Sequence, residues 1–174
     1  MNSAVRRLNV VPYDRAKAVA YAHQWAFGRN PKYLNFEKLG GDCTNFASQV
    51  IYAGSGIMNF TPIHGWYYVN SFKRTASWTG VNYLHKFLTG NKDGPGPFAE
   101  EVDVKDVEPG DIVQLSFQGG SHFNHSPVIV STGAVPSVSN ILIATHTIDR
   151  DNYPLSNYSW RNIRFLHILG VRKG

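Results

Sequence analysis

The stretch GGDCTNFASQVIYAG, residues 40–54, decides how the first half of the chain is interpreted. Cys43 is the only cysteine of the chain, and it follows two glycines and an aspartate. After it, apolar residues recur at helical spacing, and Gly54 is expected to end the helix. Because the first turn of a helix carries unpaired N–H groups and partial positive charge, a cysteine there has its thiolate favoured. The alternative is that Cys43 is a small buried hydrophobic residue, which is common for free cysteines.

Two further helices are predicted on either side of this stretch. The residues 13–27 have apolar positions near one face, with Asp14 as the N-cap and Gly28 as the stop. A third helix is predicted over residues 78–88, after an irregular and aromatic segment at 55–77.

The second half of the chain has the character of strands. A turn-rich break, TGNKDGPGPFAE at 89–100, precedes five predicted strands, at 102–104, 111–117, 126–131, 140–147 and 165–171. Helices followed by strands predict an α+β fold in which a helical N-terminal half packs on a C-terminal antiparallel sheet. The expected organisation is a single domain over residues 13–174, with residues 1–12 as an N-terminal extension.

Composition limits the possible partners. The 174 residues carry a net charge of +5, which favours anionic partners. However, no basic run exceeds the pair at 6–7 and no nucleic-acid motif is present, so specific nucleic-acid binding is not expected. One cysteine excludes an internal disulfide, and no stretch has the pattern of a signal peptide or a transmembrane segment.

A cysteine nucleophile needs a base, and the chain offers seven histidines. His125 opens a predicted strand, and His146 lies near the end of another. If these strands are neighbours, His125 is the expected base and His146 holds its second ring nitrogen. Asp149 is a rival for that orienting role, and His122 is a fallback base.

Metal and cofactor chemistry is not expected. His122 and His125 are three residues apart, which places them on opposite faces of a strand. Neither an HExxH motif nor a pair of metal-binding cysteines occurs, and no glycine-rich phosphate loop is present.

Several motifs occur in an order that resembles a known family. The most specific is GDCTNFASQ, and the others are GW at 65–66, SW at 77–78, PGDIVQ at 109–114, HSPVIV at 125–130 and ATHTIDRDNYPL at 144–155. Together they resemble the bacterial putative amidase-domain family of the papain-like superfamily, which also contains the CHAP and NlpC-type cell-wall hydrolases. The resemblance extends from about Tyr13 to Val171.

The resemblance implies a papain-like thiol hydrolase that acts on amide bonds of peptidoglycan or a related wall peptide. Cys43 matches the nucleophile, His125 the base and His146 the third polar position. Asp42 is expected to form the turn before Cys43. Pro127, two residues after the base, predicts an edge or a bulge in that strand.

The same resemblance suggests which residues meet the substrate. Asn45 is expected to be either a structural residue or a substrate contact, and the aromatic segment around Trp66 and Tyr67 is expected to line the groove. No cofactor is implied, and a monomer is expected. The protein is expected to be secreted or wall-associated if an export signal has been removed, and to be cytoplasmic otherwise.

Two other functions remain open for this sequence. One is a non-catalytic wall-binding module of the same fold, which would bind sacculi without releasing amines. The other is an acyltransferase or transpeptidase that uses the same cysteine and histidine, which would transfer the acyl group to an added amine.

Overall fold

A computed structural model describes residues 7–174 of the chain, so residues 1–6 of the expected extension lie outside the described part. The α-helices of this part are α1 (Arg15–Trp25), α2 (Cys43–Ser55), α3 (Ala76–Thr79) and α4 (Val81–Gly90). Its strands are β1 (Asn9–Val11), β2 (Tyr68–Asn70), β3 (Lys73–Arg74), β4 (Gly96–Val102), β5 (Ile112–Ser116), β6 (Val128–Ser131), β7 (Leu142–Thr145), β8 (Arg150–Pro154) and β9 (Asn162–Lys173). The fold is α+β, as the sequence predicts.

The long strand β9 organises the main sheet. It pairs with β4 along Phe165–Arg172, with β5 near its start and with β1 near its end. From β5 the sheet continues through β6 and β7 to β8, and all of these pairs are antiparallel. β2 and β3 form a separate two-stranded hairpin.

The sheet is buried on both faces. One face packs against the helices, and its buried side chains include Ile112 of β5 and Val128 of β6 in the same cluster as Phe46 of α2. The opposite face carries a second cluster that includes Val113 and Ile129. Adjacent residues of β5 and β6 therefore enter different cores, as the alternation of strand side chains requires.

The start of α1 agrees with the sequence prediction, whereas α2 ends later than predicted. The carboxylate of Asp14 accepts a hydrogen bond from the Lys17 N–H at 3.0 Å, which confirms the predicted cap of α1. α2 runs beyond Gly54, where the sequence predicted its end, and stops at Gly56 in the left-handed conformation (φ 69°). Gly54 lies instead against the ring of Tyr13, where a side chain would clash.

Other predicted boundaries also differ. The third predicted helix is interrupted by Gly80, whose extended backbone (φ −112°, ψ 128°) separates α3 from α4. The turn-rich segment overlaps the start of β4, which ends at Val102, the residue at which the sequence predicts a strand to begin. The sequence pattern also missed β1, β2, β3 and β8, which are short and in which Tyr68 is the one buried residue. β1 comes from the expected extension.

No helix within residues 7–174 combines the length and apolar character needed to cross a bilayer.

We predict that Gly54→Ala destabilises the protein by about 1–3 kcal/mol, because overpacking forces the neighbouring helix to shift. A Cβ at this position would lie 2.4 Å from a ring carbon of Tyr13 and 2.8 Å from the carbonyl oxygen of Asp14. Gly90→Ala is the matched control, because nothing lies within 4 Å of its added Cβ, and it should be neutral or slightly stabilising. Urea unfolding measures both, and equal stabilities would contradict the packing argument.

Candidate active site

Cys43 is the first residue of α2, and a sharp turn leads into it. Gly40 and Gly41 have φ angles of 102° and 106°, a conformation that favours glycine. The N–H of Asp42 donates to Oγ1 of Thr147 at 3.0 Å, which ties this turn to the segment after β7. The side chain of Cys43 is buried with 7% of its surface exposed.

The surroundings of Cys43 favour the neutral thiol. Burial raises the pKa of Cys43, and the nearby carboxylate of Asp42 acts in the same direction. Hydrogen bonds from the backbone of Ser126, and from the side chain and backbone of Thr44, lower it but do not outweigh burial. The thiol is therefore protonated at neutral pH, in contrast to the activation expected from the helix terminus alone. Rapid alkylation at neutral pH is accordingly not expected of this cysteine.

His125 lies just before β6, on the strand path that follows β5. Its carbonyl oxygen accepts the N–H of Leu115 at 3.0 Å, and the carbonyl of Pro127 accepts the N–H of Val113 at 3.0 Å. Both residues thus pair with β5 as acceptors, and the missing N–H of Pro127 interrupts neither bond. The His125 ring is 5% exposed, and burial lowers its pKa to about 4, so the imidazole is neutral at pH 7.

Two hydroxyl groups face one nitrogen of the His125 ring. Nε2 lies 3.4 Å from the hydroxyl of Tyr158 and 3.5 Å from Oγ1 of Thr145. The Thr145 hydroxyl donates a hydrogen bond to the carbonyl of His146 at 2.8 Å, so its oxygen is free to accept a hydrogen bond from an Nε2–H group. Burial raises the pKa of Tyr158 to about 12, which keeps its phenol neutral.

Cys43 and His125 are neighbours through Ser126. The hydroxyl of Thr44, beside Cys43, donates to Oγ of Ser126 at 3.2 Å, and Ser126 follows His125 in the chain. Tyr158, which contacts His125, is also close enough to Cys43 for a thiolate there to raise its pKa. The hydrogen bonds found across residues 7–174 do not include one between the thiol and the His125 ring. Catalytic hydrogen bonds are often long in the absence of substrate.

His146 lies beside Asp42 and the end of α1, away from the His125 ring. Its Nδ1 is 2.5 Å from Oδ2 of Asp42, and its Nε2 is 2.8 Å from the carbonyl oxygen of Trp25. Because both partners accept, both nitrogens of His146 are placed to donate. The ring also stacks on Phe46, with centroids 4.2 Å apart. The structure does not bring His146 to the His125 ring.

Strand register explains this separation. Val128 of β6 is opposite Ala144 of β7, so both side chains share the helix face of the sheet. Side chains two residues apart share a face, which places His146 on the helix side. His125 and Thr145 are each an odd number of residues from that pair, so their side chains point away from His146.

The remaining candidates for base and orienter are also placed away from His125. Asp149 forms two hydrogen bonds with Arg29, at 2.9 and 3.0 Å. His122 lies on the exposed surface.

Two of the three expected substrate contacts lie in the interior. Asn45 is 1% exposed, and its amide bonds to the carbonyl of Leu34, to Asp42 and to the indole of Trp78. Trp66 is fully buried, and its indole donates to Ser48. These contacts favour a structural role for Asn45 and a packing role for Trp66.

Tyr67 is half-buried, and its ring packs 5.5 Å from the ring of Phe60.

Three residues around the pair were not singled out from the sequence: Ser126, Thr145 and Tyr158. Ser126 lies in the motif HSPVIV and Thr145 in ATHTIDRDNYPL. Assigning either of them to the site requires knowing the register of β6 against β7. Tyr158 comes from the segment after β8, and no sequence pattern marks it. Within residues 7–174, no three His, Cys, Asp or Glu side chains are grouped to hold a metal ion.

The chain belongs to the family described as "putative amidase domain", which it matches over residues 12–169. It also resembles a Bacillus subtilis (strain 168) protein whose description is "Uncharacterized protein YhbB". The two are 36% identical over 134 residues, which is 73% of this chain and 40% of the relative. The chain therefore spans less than half of that relative's length. No solved structure matches the chain.

We predict that His125 makes the protein sensitive to mild acid. The unfolded chain takes up a proton at this side chain near pH 6.5, whereas the folded protein does so only near pH 4. Stability contributed by the neutral ring is thus complete above pH 6.5 and falls by about 3 kcal/mol as the pH drops to 4.

In His125→Gln, the fall in unfolding free energy between pH 7 and pH 4 should be smaller by about this amount, as measured by urea unfolding. His122→Gln is the control, since that ring is exposed. An acid dependence identical in the two variants would contradict the lowered pKa.

Proposed function

We propose that this protein is a papain-like cysteine amidase that cleaves amide bonds in peptidoglycan or a related cell-wall peptide. Membership of the amidase-domain family supports the reaction class. The observation that carries the cysteine mechanism is the position of Cys43, at the start of α2 and beside residues 125–126. The positive net charge is consistent with an anionic wall polymer.

The reaction begins from two neutral groups. Since burial raises the pKa of the thiol and lowers that of the imidazole, a resting thiolate–imidazolium pair is disfavoured. His125 instead removes the thiol proton as the sulfur attacks the amide carbonyl carbon. The new S–C bond forms, and the carbonyl π electrons move to its oxygen.

The helix terminus supplies donors for that oxygen. The first hydrogen bond within α2 is donated by the N–H of Phe46 to the carbonyl of Asp42. N–H groups of residues 43–45 precede it and are not used inside the helix. Such N–H groups stabilise an oxyanion, together with the positive end of the helix dipole.

Collapse of the tetrahedral intermediate breaks the C–N bond. The His125 imidazolium gives its proton to the departing nitrogen, so the amine leaves neutral and the acyl group remains on sulfur as a thioester. Water then attacks the thioester, with His125 accepting a proton from it. The thiolate leaves, and Cys43 regains its proton.

Thr145 takes the orienting role in this proposal. Its oxygen accepts a hydrogen bond from the Nε2–H group of His125, which leaves the lone pair on Nδ1 available for the thiol of Cys43. His146, expected in that role from the family pattern, is engaged by Asp42 and Trp25. The nitrogen that acts as the base is thereby Nδ1 of His125.

We predict that Cys43→Ala releases no new amines from purified peptidoglycan, whereas the unaltered protein does. Mass spectrometry of the released fragments identifies the bond, whether between sugar and peptide or within the peptide. His122→Gln serves as the control, because it changes an exposed histidine. Unchanged cleavage by the alanine variant would exclude Cys43 as the nucleophile.

The same measurement separates the other functions. Binding to sacculi with no fragments from either protein would indicate a wall-binding module. Transfer of the acyl group to added glycinamide in preference to water would indicate a transpeptidase.

We predict that Thr145→Val lowers kcat about tenfold and leaves KM within about twofold, because the hydroxyl orients the base without touching substrate. Thr145→Ser keeps the hydroxyl and should restore most of the rate. Thr89→Val is a matched control, since the Thr89 hydroxyl also donates to a carbonyl at 2.8 Å, that of His85. Equal rates for the two valine variants would remove Thr145 from the mechanism.

A further inference from the structure

One segment of the chain accounts for most of its net positive charge. Residues 43–92 contain no aspartate or glutamate, although the chain has 12 of these residues. The cations in this segment are Lys73, Arg74, Lys86 and Lys92, so it supplies +4 of the net charge of +5. A surface built from it attracts anions.

The same segment forms most of a cavity of about 550 Å³. Its walls are the loop 59–65, residues 76–77 of α3, α4 and the turn at 90–94. Cys43 and His125 are not among the lining residues, so the cavity is separate from the candidate active site. Its volume falls in the range of small-ligand pockets, which is about 300–1,000 Å³.

Two buried asparagines hold the floor of this cavity in place. The amide of Asn59 donates to the carbonyl of Pro95 at 3.0 Å and accepts the N–H of Thr61 at 3.0 Å. Asn91 donates to the same Pro95 carbonyl at 3.2 Å and accepts the N–H of Gly94 at 3.0 Å. The two loops are thus joined to each other through the Pro95 carbonyl.

Charged and apolar groups lie together on the lining. Lys86 and Lys92 are exposed, and the ion pairs found within residues 7–174 include neither of them. Tyr83 and Ile63 are 60% and 81% exposed. The lining has a single carboxylate, that of Asp93.

We propose that this cavity binds an anionic carbohydrate, a sugar ring that carries a carboxylate or a phosphate. The ammonium groups of the two lysines would pair with the anionic substituent. The aromatic face of Tyr83 and the side chain of Ile63 would contact the sugar ring. A concave site of this size fits a discrete ring better than it fits a flat lipid surface. This proposal does not depend on hydrolysis by Cys43.

The test is an NMR titration of the Cys43→Ala protein, which cannot use Cys43 as a nucleophile. The probes are N-acetylmuramic acid, with a carboxylate, and N-acetylglucosamine 6-phosphate, with a phosphate. Neutral N-acetylglucosamine is the comparison. Either acid should shift the backbone amide resonances of residues 59–65 and 83–94. Its dissociation constant should be at least fivefold lower than that of the neutral sugar. The acid that binds more tightly shows whether the cavity prefers a carboxylate or a phosphate.

Variants separate specific recognition from overall charge. Lys86→Gln and Lys92→Gln should each weaken binding of the acid by about threefold to fivefold. Lys105→Gln makes the same charge change on a lysine that does not line the cavity, and it should have no effect. Tyr83→Ser should weaken binding of every sugar.

Three results would overturn the proposal: shifts confined to residues outside the cavity, equal binding of the neutral and anionic sugars, or equal effects of the Lys86 and Lys105 variants. Failure of the peptidoglycan cleavage experiment would leave this titration unaffected, because the protein titrated lacks the thiol.

Discussion

The carboxylate of Asp42 is the group on which the candidate site depends. It is fully buried at the residue before Cys43, and it accepts from the N–H of Phe36, the amide of Asn45 and the ring of His146. Burial raises the pKa of Asp42, but the hydrogen bonds from His146, Asn45 and Phe36 outweigh it and hold the pKa below its ordinary value. A buried charge without such donors would cost several kcal/mol.

This carboxylate joins parts of the chain that are far apart in sequence. Phe36 belongs to the loop after α1, Asn45 to the first turn of α2, and His146 to the end of β7. His146 extends the connection to α1 through the carbonyl of Trp25. Cys43 is therefore held in place by the sheet and by α1 and α2, and its own Sγ lies 3.8 Å from Oγ1 of Thr44.

Local pattern predicted the first two helices and the central strands, but it missed the short strands and did not determine how the strands align. Apolar spacing located α2 to within about a turn at its end, and it indicated β5, β6 and β7. Whether His125 faces His146 or Thr145 depends on a one-residue choice of register, which is set by packing across the whole sheet. Burial of Trp66 likewise follows from tertiary packing against Trp78, which aromatic content does not reveal.

Burial has opposite consequences for the two groups of the proposed mechanism. Enclosure makes the thiol harder to ionise and the imidazole harder to protonate, so an early ion pair has little advantage. A bound amide that offers its carbonyl to the N–H groups of α2 changes this balance, because negative charge then moves from sulfur to a stabilised oxygen. In the proposed mechanism proton transfer and attack are coupled for this reason, and reactivity toward a simple alkylating agent says little about reactivity toward the substrate.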